Sequence, residues 1–502
     1  MREPGKSVQE VAVESLGLRM MLGVFSVQNR FFSGSATTTL LLGLVFASKL
    51  TAEPRQSQDD PCLYRLPHYD EDWNCVRYTS HSPDILDAIK YVTWSENASS
   101  YASFGGEIRE TYERFHNPNF GLQPEDPGGY LLQRYLIHAD LHFTESARGY
   151  VELLSAFENW RVGGPRPIVD EDRLDFHQGF LDFRSTSKQG IRTTVGLGRQ
   201  EMALGSGRLV ALREGTNVPF SFDGIRVSLH VRAGEFDVFA TKPVLNKSGV
   251  IDDPPQAGNS FWGIYSSWPM HAGTHPSHVD VYYLGLDRNP ATFNQGTAHE
   301  TRHTIGGRIW NLQGAWNYDA EGMFQFGSFV VGTIHAWRVA SDTSYEFSSL
   351  LWHPRLGFTV DASSGDRNLA NPDLQTFNAL FQSGMYSGKA QILGPANTIR
   401  LEPFVTARTR RNVSVSAGWG FYWRENVHDG LYGIAGNLLV PAGSTRARYE
   451  GSRPLLQVDW QVTRHISCHV NYIYVFNGPF GEQAAHGTSG MSYVAPWITY
   501  EF

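Results

Sequence analysis

Three cysteines in 502 residues, with no C-x-x-C pair, argue against structural zinc and thioredoxin-like redox chemistry. Long apolar runs are missing too. A helical membrane bundle needs several stretches of roughly 20 apolar residues, and a mean hydropathy of −0.31 excludes it. Net charge is −8, which argues against nucleic acid as a partner. Catalytic signatures are absent: there is no G-x-S-x-G, no phosphate-binding G-x-x-x-x-G-K-[ST], no H-E-x-x-H, and no G-x-G-x-x-G between strand and helix. The expectation is therefore no enzyme, no cofactor and no metal. A hydrolase or lipid-modifying enzyme carried on a barrel remains an alternative, because such sites need no contiguous motif.

What is abundant is glycine, at 50 residues, and aromatics, at 13%. From Ser103 onward apolar and polar residues alternate over windows of about ten, separated by turn-rich segments, which is the pattern of a transmembrane β-barrel. In Val413–Arg424 the residues Val413, Val415, Ala417, Trp419, Phe421 and Trp423 share one face, opposite Tyr422 and Arg424. A helix would repeat near 3.6 residues; this segment repeats at two. Tyr135, Ile137, Ala139, Leu141 and Phe143 likewise oppose Arg134, His138, Asp140 and His142, and Ile225, Val227, Leu229 and Val231 oppose Arg226, His230 and Arg232. No helical segment is available to cover these apolar faces over some 400 residues, so lipid covers them. The fold class expected is all-β, a transmembrane antiparallel up-and-down barrel.

Residues 1–52 read as an N-terminal extension and signal peptide. Thr37–Ala47 has the length of a leader core, and cleavage is expected within Ala47–Ala52. Residues 53–101 read as a periplasmic lead-in, with a short helix over Pro83–Trp94, and residues 102–502 as the barrel. Cys62 and Cys75 are a disulfide candidate suited to an oxidising compartment, with two free thiols the alternative. Cys468 reads as a small apolar packing residue. At the other end Ile498, Tyr500 and Phe502 share one face, the look of an outer-membrane assembly signal; Pro496 is expected at the first turn of that strand or at a bulge.

From Asp84 onward the chain resembles the alginate export family of outer-membrane barrels. The resemblance rests on LDAIKYVTW, on FGGEIRETYERFHNPNFG, on Gly196–Val227, on HPRLGFTVDASSGDRN, and on LQTFNALF, MYSGKAQILGPAN and DGLYGIAGNLL in that order. It implies a monomeric barrel of eighteen antiparallel strands in a Gram-negative outer membrane, with an Arg-rich lumen conducting acidic polysaccharide. Seventeen to nineteen strand windows in the sequence agree with that number. The partners it implies are outer-membrane lipid, acidic polysaccharide, the barrel-assembly machinery and periplasmic export proteins.

A polyanion needs fixed positive charge along its path, in contacts weak enough to release. Arginine suits this, since its planar fork pairs with carboxylates and stays charged. Arg134, Arg226, Arg232 and Arg424 fall on inner-face parity, and Arg199, Arg308 and Arg355 lie in the family-like stretches. Asp140, Asp237, Asp361 and Asp459 are the counter-charges expected to hold them. A lumen of structural ion pairs and a general porin for small anions or sugar acids are the alternatives. Asp366 reads as a turn cap. His271, His275 and His278 read as part of a solvated external loop rather than a zinc site.

Overall fold

The computed structural model describes residues 62–77, 83–95, 100–118, 125–270, 277–382, 384, 389–390, 392–410, 412–484 and 490–502. The expected leader lies outside these residues, as do His271 and His275. Eighteen antiparallel strands form a closed barrel. They are β1 Tyr101–His116, β2 Tyr130–Thr144, β3 Ala147–Asn159, β4 Asp172–Thr186, β5 Arg192–Gln200, β6 Phe222–Val231, β7 Gly234–Pro243, β8 Asn259–Met270 and β9 Ser277–Phe293. The circuit continues through β10 Gly296–Asn311, β11 Trp316–Phe329, β12 Gly332–Glu346, β13 Arg355–Ser363, β14 Thr398–Arg410, β15 Val413–Arg424, β16 Tyr449–Gln461, β17 Ile466–Asn477 and β18 Met491–Glu501. Each strand pairs with the next, and β18 pairs back onto β1, so no sheet edge is left open.

Burial follows the period of two. Ile137, Val281, Val339 and Trp419 point outward and are exposed, while Arg134, Glu107, Arg338 and Asp361 point inward and are buried. An apolar exterior around a polar interior is stable only when hydrocarbon takes the place of water outside. Among the described residues no helix is long and apolar enough to cross a membrane, so the strands do the crossing.

At the barrel's seam, Phe502 exchanges two backbone hydrogen bonds with Gly106, at 2.8 and 3.0 Å. A Cβ on Gly106 would stand 2.1 Å from the Leu136 carbonyl oxygen and 2.7 Å from the Phe502 ring, which is why a glycine sits there. Pro496 lies in mid-strand rather than at a first turn or bulge. It pairs with Val470 of β17, and the ladder to β1 lapses at Ala495 and Pro496 before resuming in the same register. The ring removes a donor toward one neighbour without shifting the strand.

Connections at the end where β1 begins are short, such as 145–146, 232–233 and 411–412; those at the other end include 201–221, 364–397 and 425–448. Short turns mark the periplasmic side of such barrels and long loops the outside. Two expectations are corrected here. Arg232 is exposed in the tight turn between β6 and β7, because β6 ends one residue before it and parity stops with the strand. His278 belongs to β9, stacked 4.3 Å from Trp310, and the connection before it is on the short-turn side rather than external.

The lead-in is docked at the short-turn end. Cys62 and Cys75 are disulfide-bonded, with Cα atoms 5.6 Å apart, and close a small core with Trp73. The helix expected over Pro83–Trp94 shrinks to Asp87–Lys90, followed by the two-residue strand Val92–Thr93 paired with β1. Lys90 is almost fully buried, 4.3 Å over the Trp73 ring, and donates to the Phe502 carbonyl oxygen at 2.9 Å. Burial lowers its pKa to about 8 against the opposing pull of Glu71.

Candidate functional site

The lumen is the candidate site, and two long loops narrow it from within. Loop 201–221 runs down the inside of the wall, where Val210 bridges to Phe381 of loop 364–397. Their apolar residues pack on inward aromatics of the strands: Met202, Leu209, Phe220 and Phe377 lie among Phe222, Phe239, Phe261 and Tyr282. The second loop is tied to the wall through Leu374, bridged to Ile334, and to loop 425–448 through Asp429, which accepts from the Thr376 hydroxyl and from the Asp366 backbone N–H. Asp366 caps its own turn by accepting from the Asn368 backbone N–H at 2.8 Å.

Most charges inside this space are paired. Arg134, fully buried, reaches Glu107 and Glu214, each at 2.7 Å. Arg308 pairs with Asp280 at 2.9 Å and with Asp319 at 2.6 Å, and Arg208 joins Asp319, Glu321 and Asp342 in the same network. Arg199 pairs with Asp223 at 2.8 Å, Arg226 with Asp237 at 3.0 Å, and Arg355 with Glu346 at 2.7 Å. Arg424 is held by the carbonyl oxygens of Asp429, Thr445 and Ala447 and stacks 4.7 Å from the Phe480 ring. Asp140 serves Arg148, Asp361 serves Arg338, and Asp459 serves His469. Of the arginines and aspartates singled out in the sequence, only Arg226 and Asp237 are brought together; the others, apart from the exposed Arg232, have partners elsewhere.

Like Arg424, two cations of the inward loops stand outside the ion pairs. Arg213 of the first loop and Lys389 of the second make no ion pair with a described residue, and the Lys389 ammonium donates to the Gly215 carbonyl oxygen at 3.1 Å. The Arg213 guanidinium lies 4.3 Å over the Phe220 ring, on a backbone at φ +62°. Burial lowers the Arg213 pKa to about 10 and that of Lys389 to about 8; Arg109, Arg134 and Arg166 push Lys389 the same way, against Glu113. Burial alone would raise Glu214, but Arg134 and Arg109 outweigh it and hold it at about 2. Among the described residues, these two cations have no ion-pair partner where the two loops meet.

Strand parity could not find these two, since parity ends with the strand. The signal was present elsewhere: both lie in stretches that carry the family resemblance, ALREGTNVPF and MYSGKAQ.

A closed eighteen-strand barrel with an apolar exterior and a charged, loop-narrowed interior defines an integral outer-membrane channel. The chain belongs to the alginate export family, whose profile matches residues 100–494. No curated protein matches it in sequence. Solved structures that it resembles include OpdK of Pseudomonas aeruginosa with vanillate, at 10% identity and a TM-score of 0.54, covering 80% of this chain and 98% of that one. A BenF-like porin of Pseudomonas fluorescens Pf-5 is similar at 9% identity and a TM-score of 0.54, with the same coverage of 80% and 98%. OccK2 (OpdF) of Pseudomonas aeruginosa in complex with glucuronate is similar at 10% identity and 0.52, covering 80% and 98%. At such identity the likeness concerns the fold.

Proposed function

We propose that this channel passes acidic, uronate-type oligosaccharide or polysaccharide, with Arg213 and Lys389 as the charges that meet the carboxylates. The observation that carries this reading is that neither makes an ion pair with a described residue, whereas Arg134, Arg199, Arg208, Arg226, Arg308 and Arg355 each do. An ion-paired wall offers weak, exchangeable contacts, while uncompensated cations in low-dielectric surroundings set the sign of the field. The family name concerns a polyuronate, and the neighbour OccK2 (OpdF) is described with glucuronate, which supports the same class of solute. The reading assigns no catalysis. It takes the protein as a monomer inserted by the barrel-assembly machinery and served by periplasmic export proteins.

A second reading, a porin for small carboxylates, is favoured by the inward loops and by the vanillate named for OpdK. Reversal potentials in planar bilayers separate the outcomes. The unmodified pore should be anion-selective at low salt and less so at 1 M, where the Debye length falls to about 3 Å. Arg213→Met with Lys389→Met should move the reversal potential toward cations and relieve block by uronate oligomers, leaving neutral oligosaccharides without effect. Because Lys389 titrates near 8, the anion bias should weaken as pH rises through that value, and Lys389→Met should lose the step. Equal block by acidic and neutral oligomers would sink the uronate reading. Block by monomeric uronates only would leave the small-carboxylate porin.

A further inference from the structure

His68 of the lead-in is carried deep into the barrel and lies against the wall, only 5% exposed. Its Nδ1 is 2.8 Å from Glu152 Oε2 of β3. Its ring stacks on His138 of β2, with centroids 5.3 Å apart, and His138 Nδ1 is 3.8 Å from the same carboxylate oxygen. His138 is 3% exposed and Glu152 1%. Two of the imidazole nitrogens, His138 Nδ1 and His68 Nε2, are buried without a hydrogen-bond partner. A buried nitrogen left without a partner is destabilising, and His138 Nδ1, 3.8 Å from the Glu152 carboxylate, is where an ion would satisfy it.

The ligand-capable atoms of His68, His138 and Glu152 all lie within 4.8 Å of one another. Zinc bound tetrahedrally at about 2.0–2.2 Å places its ligands roughly 3.3 Å apart, so modest inward shifts would close the set. Two imidazoles and one carboxylate suit Zn2+ and its imidazole-preferring neighbours; Ca2+ and Mg2+ prefer all-oxygen sites. Glu152 is oriented from behind. Tyr150 donates its hydroxyl to Oε2 at 3.1 Å, and Gln178 donates to Oε1 at 2.9 Å. Gln178 also donates to Glu201, which is held in turn by His177 at 2.9 Å. Partners of this kind fix the direction of a ligand's lone pair.

We propose that Zn2+, or another divalent ion that prefers imidazole, binds His68, His138 and Glu152 and fastens the lead-in to the barrel wall. One ligand comes from the lead-in and two from the wall, so ion binding and docking are a single event. The ion replaces any proton shared between His68 and Glu152, and its binding releases that proton.

The full chain, purified in detergent and stripped with chelator, is titrated with Co2+ as a probe and the d–d bands of tetrahedral cobalt are followed, with Zn2+ as competitor. One equivalent should bind. His138→Gln and His68→Gln should each weaken binding by more than tenfold. The second of these lies outside the barrel strands and leaves the wall untouched. Joint replacement of His271, His275 and His278 by Ala should change nothing. Limited proteolysis gives the second readout: Zn2+ should slow cleavage of the lead-in in the unmodified chain and not in His138→Gln. Cobalt binding that survives both single replacements, or disappears with the three other histidines, overturns the site. Binding that leaves lead-in cleavage unchanged overturns the fastening.

Discussion

A buried guanidinium is stable only while its carboxylates stay with it, and Arg134 shows how narrow that condition is. It is fully buried between Glu107 of the wall and Glu214 of a loop that crosses the lumen. Arg134→Ala removes the fully buried cation between two carboxylates and leaves them only Arg109, 2.8 Å from Glu107 and 3.1 Å from Glu214. The expected cost is about 3–5 kcal/mol, read as an earlier urea midpoint in detergent. A variant as stable as the unmodified protein would show that water reaches this pair and screens it. Lys389→Met is the contrasting case, since it breaks no ion pair with a described residue and gives up a hydrogen bond to the Gly215 carbonyl oxygen.

Strands and seams decide whether the barrel closes at all. The last pairing, β18 on β1, depends on backbone approaching backbone at Gly106, where Phe502 docks. Gly106→Val puts carbon where the Leu136 carbonyl oxygen already is, so β1 cannot lie flat against both neighbours. The expected result is a chain that no longer shows heat-modifiable gel mobility and collects as unfolded material, because an open edge remains exposed. Gly128→Val, where an added Cβ meets nothing within 4 Å, should assemble normally. Normal assembly of Gly106→Val would mean that the seam is looser than its contacts indicate.

At the scale of the whole barrel, the described residues narrow the lumen from both ends. Loops 201–221 and 364–397 enter from the long-loop side, and the disulfide-closed lead-in enters from the other, with Arg148 donating to the Tyr69 carbonyl oxygen and Arg464 to that of Cys62. Removing residues 62–95 should raise single-channel conductance while leaving the sign of selectivity unchanged, since Arg213 and Lys389 stay in place. Unchanged conductance would place the narrowest point at the loops alone.

The period of two in the sequence was sufficient for the fold class, because lipid on one side and a polar lumen on the other impose it on every strand. It also placed Trp419 outside and Tyr422 and Arg424 inside. Parity said nothing of partners. Arg134 was legible as an inward residue, but Glu214, in a loop eighty residues away, is its partner only because that loop folds into the barrel. Arg213 and Lys389 escaped for the same reason, lying in segments with no period to read. The His68, His138 and Glu152 cluster joins the lead-in to two strands that the barrel's curvature brings around it. Local alternation is written into neighbouring residues; which charges remain uncompensated is set by contacts between distant segments, and those exist only once the barrel is closed.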